Sequence, residues 1–86
     1  MQNRVRVLIA DDNKEFCDII RRYLEKQEDM EVIGIASDGI EALEMIISTS
    51  PEVVILDIIM PHIDGLGVLE RLNSSELESR PKIVIL

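Results

Sequence analysis

The sequence predicts an α/β domain built on a parallel sheet, and three observations predict it. Apolar runs of strand length alternate with amphipathic stretches of helical period along the whole chain. The run Val53-Val54-Ile55-Leu56 is continuous rather than alternating, as expected of a strand buried on both faces. The core formers are Ile, Val, Leu and Met, because aromatics make up only 2% of the 86 residues. That palette suits helices packed on parallel strands. The order read from the pattern is β-α-β-α-β-α-β, as one small domain with no internal repeat, low-complexity segment or linker.

Arg4 to Ala10 begins alternating and ends as an unbroken apolar run, a strand that becomes buried on both sides. It runs into Asp11, Asp12 and Asn13, and Asp12 or Asn13 can cap the next helix. From Lys14 to about Gln27, Phe16, Ile19, Ile20, Tyr23 and Leu24 recur at helical spacing and are expected to form one buried stripe. Cys17, at the edge of that stripe, reads as a small buried hydrophobe rather than a reactive thiol. Glu31 to Ala36 is the second strand, and Ser37-Asp38-Gly39 the turn after it. Asp38 followed by Glu41 forms a variant capping box that opens a helix striped by Ile40, Leu43, Ile46 and Ile47, with Ala42 close in. Pro51 enforces its end. The third strand is expected over Val53 to Ile58, then a loop from Met60 to Gly65 in which Asp64-Gly65 signals a turn. Leu66, Leu69 and Leu72, with Val68 alongside, predict a short third helix. Asn73 to Arg80 reads as polar loop, and Pro81 to Leu86 as the fourth strand.

Charge and cysteine usage exclude several functions. The net charge of −8 argues against a segment that grips a phosphate backbone, which needs a basic face. It suits a cation site or a basic partner. Cys17 is the only cysteine, which leaves no internal disulfide and no cysteine-based zinc site and fits a reducing compartment. No stretch reads as a secretory h-region or a bilayer span, so a cytoplasmic location is expected. No Gly-rich loop follows the first strand, which removes a nucleotide-binding reading.

Two predicted strands end in carboxylates: Asp11 and Asp12 after the first, Asp57 after the third. In open α/β sheets the carboxyl edge is where ligands bind. If those strands are neighbours the three carboxylates converge, and like charges at that range repel unless a proton or a cation intervenes. Mg²⁺, an oxygen-seeking ion that also meets phosphates, is the natural cation. A carboxylate beside it can attack a phosphoryl group to give an acyl phosphate. The plainer alternative is that Asp11 and Asp12 are helix caps and Asp57 a solvated strand end. A phosphohydrolase with an Asp nucleophile is disfavoured, because Ile59 stands where such enzymes carry a second acid.

The segments Leu8-Ile9-Ala10-Asp11-Asp12-Asn13 and Val54-Ile55-Leu56-Asp57-Ile58-Ile59-Met60-Pro61, with Asp64-Gly65 behind, resemble the receiver domain of bacterial two-component response regulators. Glu28-Asp29-Met30-Glu31-Val32-Ile33-Gly34 and Asp57-Ile58-Ile59-Met60-Pro61-His62 further resemble the regulators that initiate sporulation in endospore-forming Firmicutes. The resemblance implies a flavodoxin-like (CheY-like) parallel sheet in strand order 2-1-3-4. It implies that Asp57 accepts a phosphoryl group from a histidine kinase or histidine phosphotransferase. It implies that Asp11, Asp12, Asp57 and the backbone carbonyl of Ile59 hold Mg²⁺, with Ca²⁺ or Mn²⁺ as substitutes. Asn13, Met60 and Pro61 would lie on the surface a partner reads, and His62 would take no part in the chemistry. No enzymatic activity is implied beyond self-catalysed phosphoryl transfer.

The family continues past a fourth strand with a Thr or Ser, a fourth helix, a fifth strand ending in Lys and a fifth helix. The sporulation regulators add a DNA-binding domain. The expectation is therefore that residues 1–86 are the N-terminal part of a receiver, with DNA contact made by a separate domain. Without the Thr or Ser and the Lys, phosphorylation of this segment is expected to be inefficient. Ile83 to Leu86 would form an open apolar edge, expected to draw the segment into a homodimer by edge pairing or domain swapping. The competing expectation is a non-phosphorylating interaction module of the same fold.

Overall fold

The computed structural model describes residues 4–60, 62, 64–74 and 80–86. Seven elements follow in the expected alternation: β1 (Val5–Ala10), α1 (Lys14–Glu25), β2 (Met30–Ala36), α2 (Gly39–Thr49), β3 (Val53–Leu56), α3 (Gly65–Ser74) and β4 (Lys82–Ile85). All pairings are parallel and the sheet order is β2-β1-β3-β4, as the resemblance implies. β1 is central: Ala10 pairs with Ala36 on one side and Leu56 on the other. One irregularity, between Val7 and Leu8, steps the β2 register past Ile33 so that Leu8 faces Gly34.

Alternate residues of a strand point to opposite faces, and the core follows that parity. Leu8 and Ala10 of β1, Ala36 of β2, and Val54 and Leu56 of β3 meet Ala42 and Ile46 of α2 and Val68 and Leu72 of α3. Val7 and Ile9 turn to the other face, toward α1, where Cys17 is buried. Each fully buried Leu or Ile in this set contributes about 1.5–3 kcal/mol relative to exposure. No helix among the described residues is long and apolar enough to cross a membrane.

The helix starts are chemically explicit. Asn13, with an extended backbone, caps α1: its side-chain oxygen accepts the Phe16 N–H at 3.0 Å. Asp38 caps α2 by accepting the Glu41 N–H at 2.8 Å, and Glu41 reaches back to the Ser37 N–H at 2.8 Å. Ser50 ends α2 in the left-handed region at φ 48°, directly before the buried Pro51.

Three expectations need correction. The stripe predicted for α1 is not buried as a whole, since Ile19 and Tyr23 are each 64% exposed. The helix docks on β2 and β1 through Cys17, with Phe16, Ile20 and Leu24 half-buried, and the apolar arc is wider than the docked line. Ile40 and Ile47 of α2 and Leu66 of α3 are likewise exposed, while Met45 packs against the core instead. The third strand ends at Leu56 rather than Ile58, which frees the backbone at Asp57 from the ladder toward β4.

Candidate functional site

Backbone hydrogen bonds at the carboxyl edge of the sheet place the acids. The Asp11 N–H donates to the Ala36 carbonyl at 3.0 Å, and the Asp57 N–H donates to the Ala10 carbonyl at 2.9 Å. Asp57 therefore leaves β3 against the residue preceding Asp11. Parallel pairing of adjacent strands does what the sequence required: Asp11, Asp12 and Asp57 each bring a carboxylate oxygen within 4.8 Å of the other two. Asp11 is 9% exposed, Asp57 half-buried and Asp12 exposed, so the trio opens from the sheet edge to solvent.

The neighbouring backbone fixes these side chains. Asp11 accepts the Asn13 N–H at 2.9 Å, which ties its carboxylate to the start of α1. Asp57 accepts the Ile59 N–H at 3.2 Å. The Gly65 N–H donates to the Ile58 carbonyl at 2.7 Å, closing the excursion from β3 to α3 at its neck. Asp64 accepts the Gly67 N–H at 2.9 Å across the first turn of α3.

Burial pushes the Asp11 carboxyl up from its ordinary value, and the nearby Asp57 and Asp12 charges push it further. The Asn13 N–H opposes them in part. Burial likewise pushes the Cys17 thiol up, reinforced by the same three acids. Its sulfur donates to the Asp11 carbonyl at 3.4 Å, so Cys17 supports the site's backbone and offers no nucleophile. The donor set consists of hard oxygens, and among the described residues no cationic side chain forms an ion pair with the trio. Those residues fit a divalent, oxygen-seeking cation.

The remaining predicted site residues separate. Asn13 is exposed beside the trio and doubles as a helix cap. Ile59 projects its side chain to solvent, 80% exposed, while its N–H is tied to Asp57. Met60 is only 7% exposed and packs with the core, which leaves little of its side chain at the surface. Pro61 lies outside the described residues. His62 sits 3.1 Å from the Asp38 carboxylate, against the cap of α2, a structural contact that the sequence did not signal. The sequence marks Gly65 only as half of a turn, whereas it is buried against the backbone of Asp57 and Ile58.

Sheet order and acidic trio together define a CheY-like α/β signalling domain. The family model for the response regulator receiver domain matches residues 7–86, and the chain belongs to that family. Solved structures agree. The response regulator domain of Thermotoga maritima CheB superposes with a TM-score of 0.88 at 30% identity, covering 96% of this chain and 60% of that one. The signal receiver domain of NarL from Mycobacterium tuberculosis gives 0.86 at 36% identity, with 96% and 67% covered. The N-terminal domain of a response regulator receiver protein from Methanoculleus marisnigri gives 0.84 at 30% identity, with 93% and 63% covered. The chain thus spans between 60% and 67% of the length of these three structures.

Proposed function

We propose that Asp57 is the phosphoacceptor of this receiver domain. The observation that carries the reading is the convergence of Asp11, Asp12 and Asp57 at the carboxyl edge of adjacent strands. An Asp57 carboxylate oxygen attacks the phosphorus of a phosphohistidine on a histidine kinase or histidine phosphotransferase. The O–P bond forms as the N–P bond breaks, and the leaving imidazole nitrogen keeps the electron pair. Asp11, Asp12 and Asp57, with the backbone carbonyl of Ile59, would hold Mg²⁺, for which Ca²⁺ or Mn²⁺ can substitute. The ion supplies charge neutralisation for the incoming phosphoryl oxygens. Asp11 anchors the trio because the Asn13 N–H holds its carboxylate in place. Asn13 lies on the partner's side of the site, and the Ile59 N–H restrains the Asp57 carboxylate before attack.

The output we infer is transcriptional, in a cytoplasmic phosphorelay of the sporulation type, with DNA contact made by another domain. The motif resemblance around Glu28 to Gly34 and Asp57 to His62 supports this reading. Self-association is the other inferred partnership, by edge pairing or domain swapping. β4 pairs only with β3 among the described residues, and Val84, Ile85 and Leu86 are between 44% and 54% exposed.

The test is transfer from a phosphorylated histidine phosphotransferase domain with Mg²⁺, read by intact mass. One added phosphate, absent in Asp57→Asn, supports the reading. Transfer is expected to be slow, so the donor is kept in excess and the exposure prolonged; a chain that then stays unmodified overturns the reading in favour of a non-phosphorylating interaction module.

A further inference from the structure

We propose that Gly65 is a positioning residue for Asp57, through the space its missing side chain leaves. The proposal rests on the phosphoacceptor reading above. A Cβ at Gly65 would lie 2.5 Å from the Asp57 carbonyl oxygen, 2.7 Å from the Ile58 Cα and 3.2 Å from the Asp57 carbonyl carbon. All three are backbone atoms, so no flexible side-chain end can swing away. Gly34 differs: its Cβ would meet the terminus of Met45, at 3.4 Å from the sulfur. The usual reason for a turn glycine does not apply, because no described glycine has a positive φ. Gly65 is required for close approach, and its N–H uses that approach to bond the Ile58 carbonyl at 2.7 Å.

The Asp57 peptide is thereby clamped from two sides. Its N–H is held by Ala10 of β1, and its carbonyl lies against the first residue of α3. Any side chain at 65 has to open a 2.5 Å separation beyond 3.0 Å, by moving either α3 or the Asp57–Ile58 peptide. The same peptide carries the carboxylate that converges with Asp11 and Asp12. Binding constellations tolerate displacement of only about 0.5 Å. Alanine is also a better helix former than glycine, so Gly65→Ala does not weaken α3 through propensity.

The experiment compares wild type, Gly65→Ala and Gly34→Ala by backbone amide NMR, first without metal and then titrated with Mg²⁺. In Gly65→Ala the amides of Asp57, Ile58 and Ile59 shift before metal is added. Its Mg²⁺ affinity falls about tenfold or more, the range seen when groups that support a metal ligand are disturbed. Gly34→Ala keeps wild-type affinity. If Gly65→Ala melts below the working temperature, an excluded osmolyte such as trimethylamine N-oxide restores the folded population and the same ratio is read. A folded Gly65→Ala chain with wild-type affinity overturns the proposal. So does one that stays unfolded in the osmolyte, because Gly65 then serves the fold rather than the site. A wild-type chain that ignores Mg²⁺ overturns the phosphoacceptor reading itself, and the proposal with it.

Discussion

Replacing Asp11 by Asn should stabilise the metal-free protein, an unusual outcome for a change at a buried position. Asp11 is 9% exposed, and its carboxylate lies within 4.8 Å of those of Asp12 and Asp57. Two unit charges at that range repel by about 1 kcal/mol in a water-like dielectric and by roughly four times that at an effective dielectric near 20. Asp12 is exposed and Asp57 half-buried, so the lower end applies to each pair. The variant then gains about 1–2 kcal/mol. At about 4–8 °C per kcal/mol for a domain of this size, its melting temperature in EDTA rises by at least about 4 °C. The Asn side-chain oxygen keeps the bond from the Asn13 N–H, so the gain is not cancelled by an orphaned donor. The sign of the pH dependence follows. Because the folded pKa of Asp11 lies above 3.8, its charged form disfavours the fold. The Asp11 contribution to the stability of the metal-free wild type therefore grows as pH falls from neutral through that raised value, and this component is missing in Asp11→Asn. Millimolar Mg²⁺ should raise the melting temperature of the wild type much more than that of the variant. Calorimetry with EDTA or Mg²⁺ checks both signs. An Asp11→Asn protein that melts at or below the wild type in EDTA would refute the repulsion argument.

Other outcomes follow from the same geometry. Asn13→Ala removes the cap of α1 and should cost about 0.5–2 kcal/mol, read as a lower midpoint in urea. Cys17 should resist an aromatic disulfide reagent at neutral pH in the native state and react on unfolding; fast native labelling would contradict its burial. The Glu41 N–H, with His62 adding to it, holds the Asp38 carboxyl below its ordinary value. The stability it contributes should persist above pH 3.8 and vanish only as pH falls through the lowered value. Asp38→Asn should remove that acid-side component of the pH–stability curve. Sedimentation at tens of micromolar should show a dimer; a single monomeric species with a cooperative melt would count against pairing at the β4 edge.

Much of the fold was legible because burial imposes period. The unbroken run Val53 to Leu56 marks a strand flanked on both edges, by β1 and β4, but only Val54 and Leu56 are buried while Val53 and Ile55 stay half-buried, so the expected burial on both faces is met on one face alone. Asn13 and Asp38 announce helix starts by chemistry that the backbone itself demands. The carboxylate trio was legible as well, because parallel strands must deliver their C-terminal residues to one edge. What periodicity cannot show is how much of an apolar arc is docked. Ile19 and Tyr23 share the spacing of Ile20 and Leu24 yet stay exposed, because α1 docks chiefly on β2 and β1 among the described residues. Met60 reads as a loop residue beside the site, but its side chain turns into the core. Gly65 reads as a turn, since sequence carries no sign of which backbone a missing Cβ admits. The His62–Asp38 contact joins residues 24 apart across two loops, beyond any local pattern.

The central question is which carboxylate takes the phosphate. The protein is exposed to acetyl phosphate and Mg²⁺, quenched, and reduced with borohydride, which converts an acyl phosphate to an alcohol. Peptide mass analysis should then find homoserine at position 57 and unaltered Asp at positions 11 and 12. A modification at Asp11, Asp12 or His62 with position 57 untouched would contradict the assignment of Asp57.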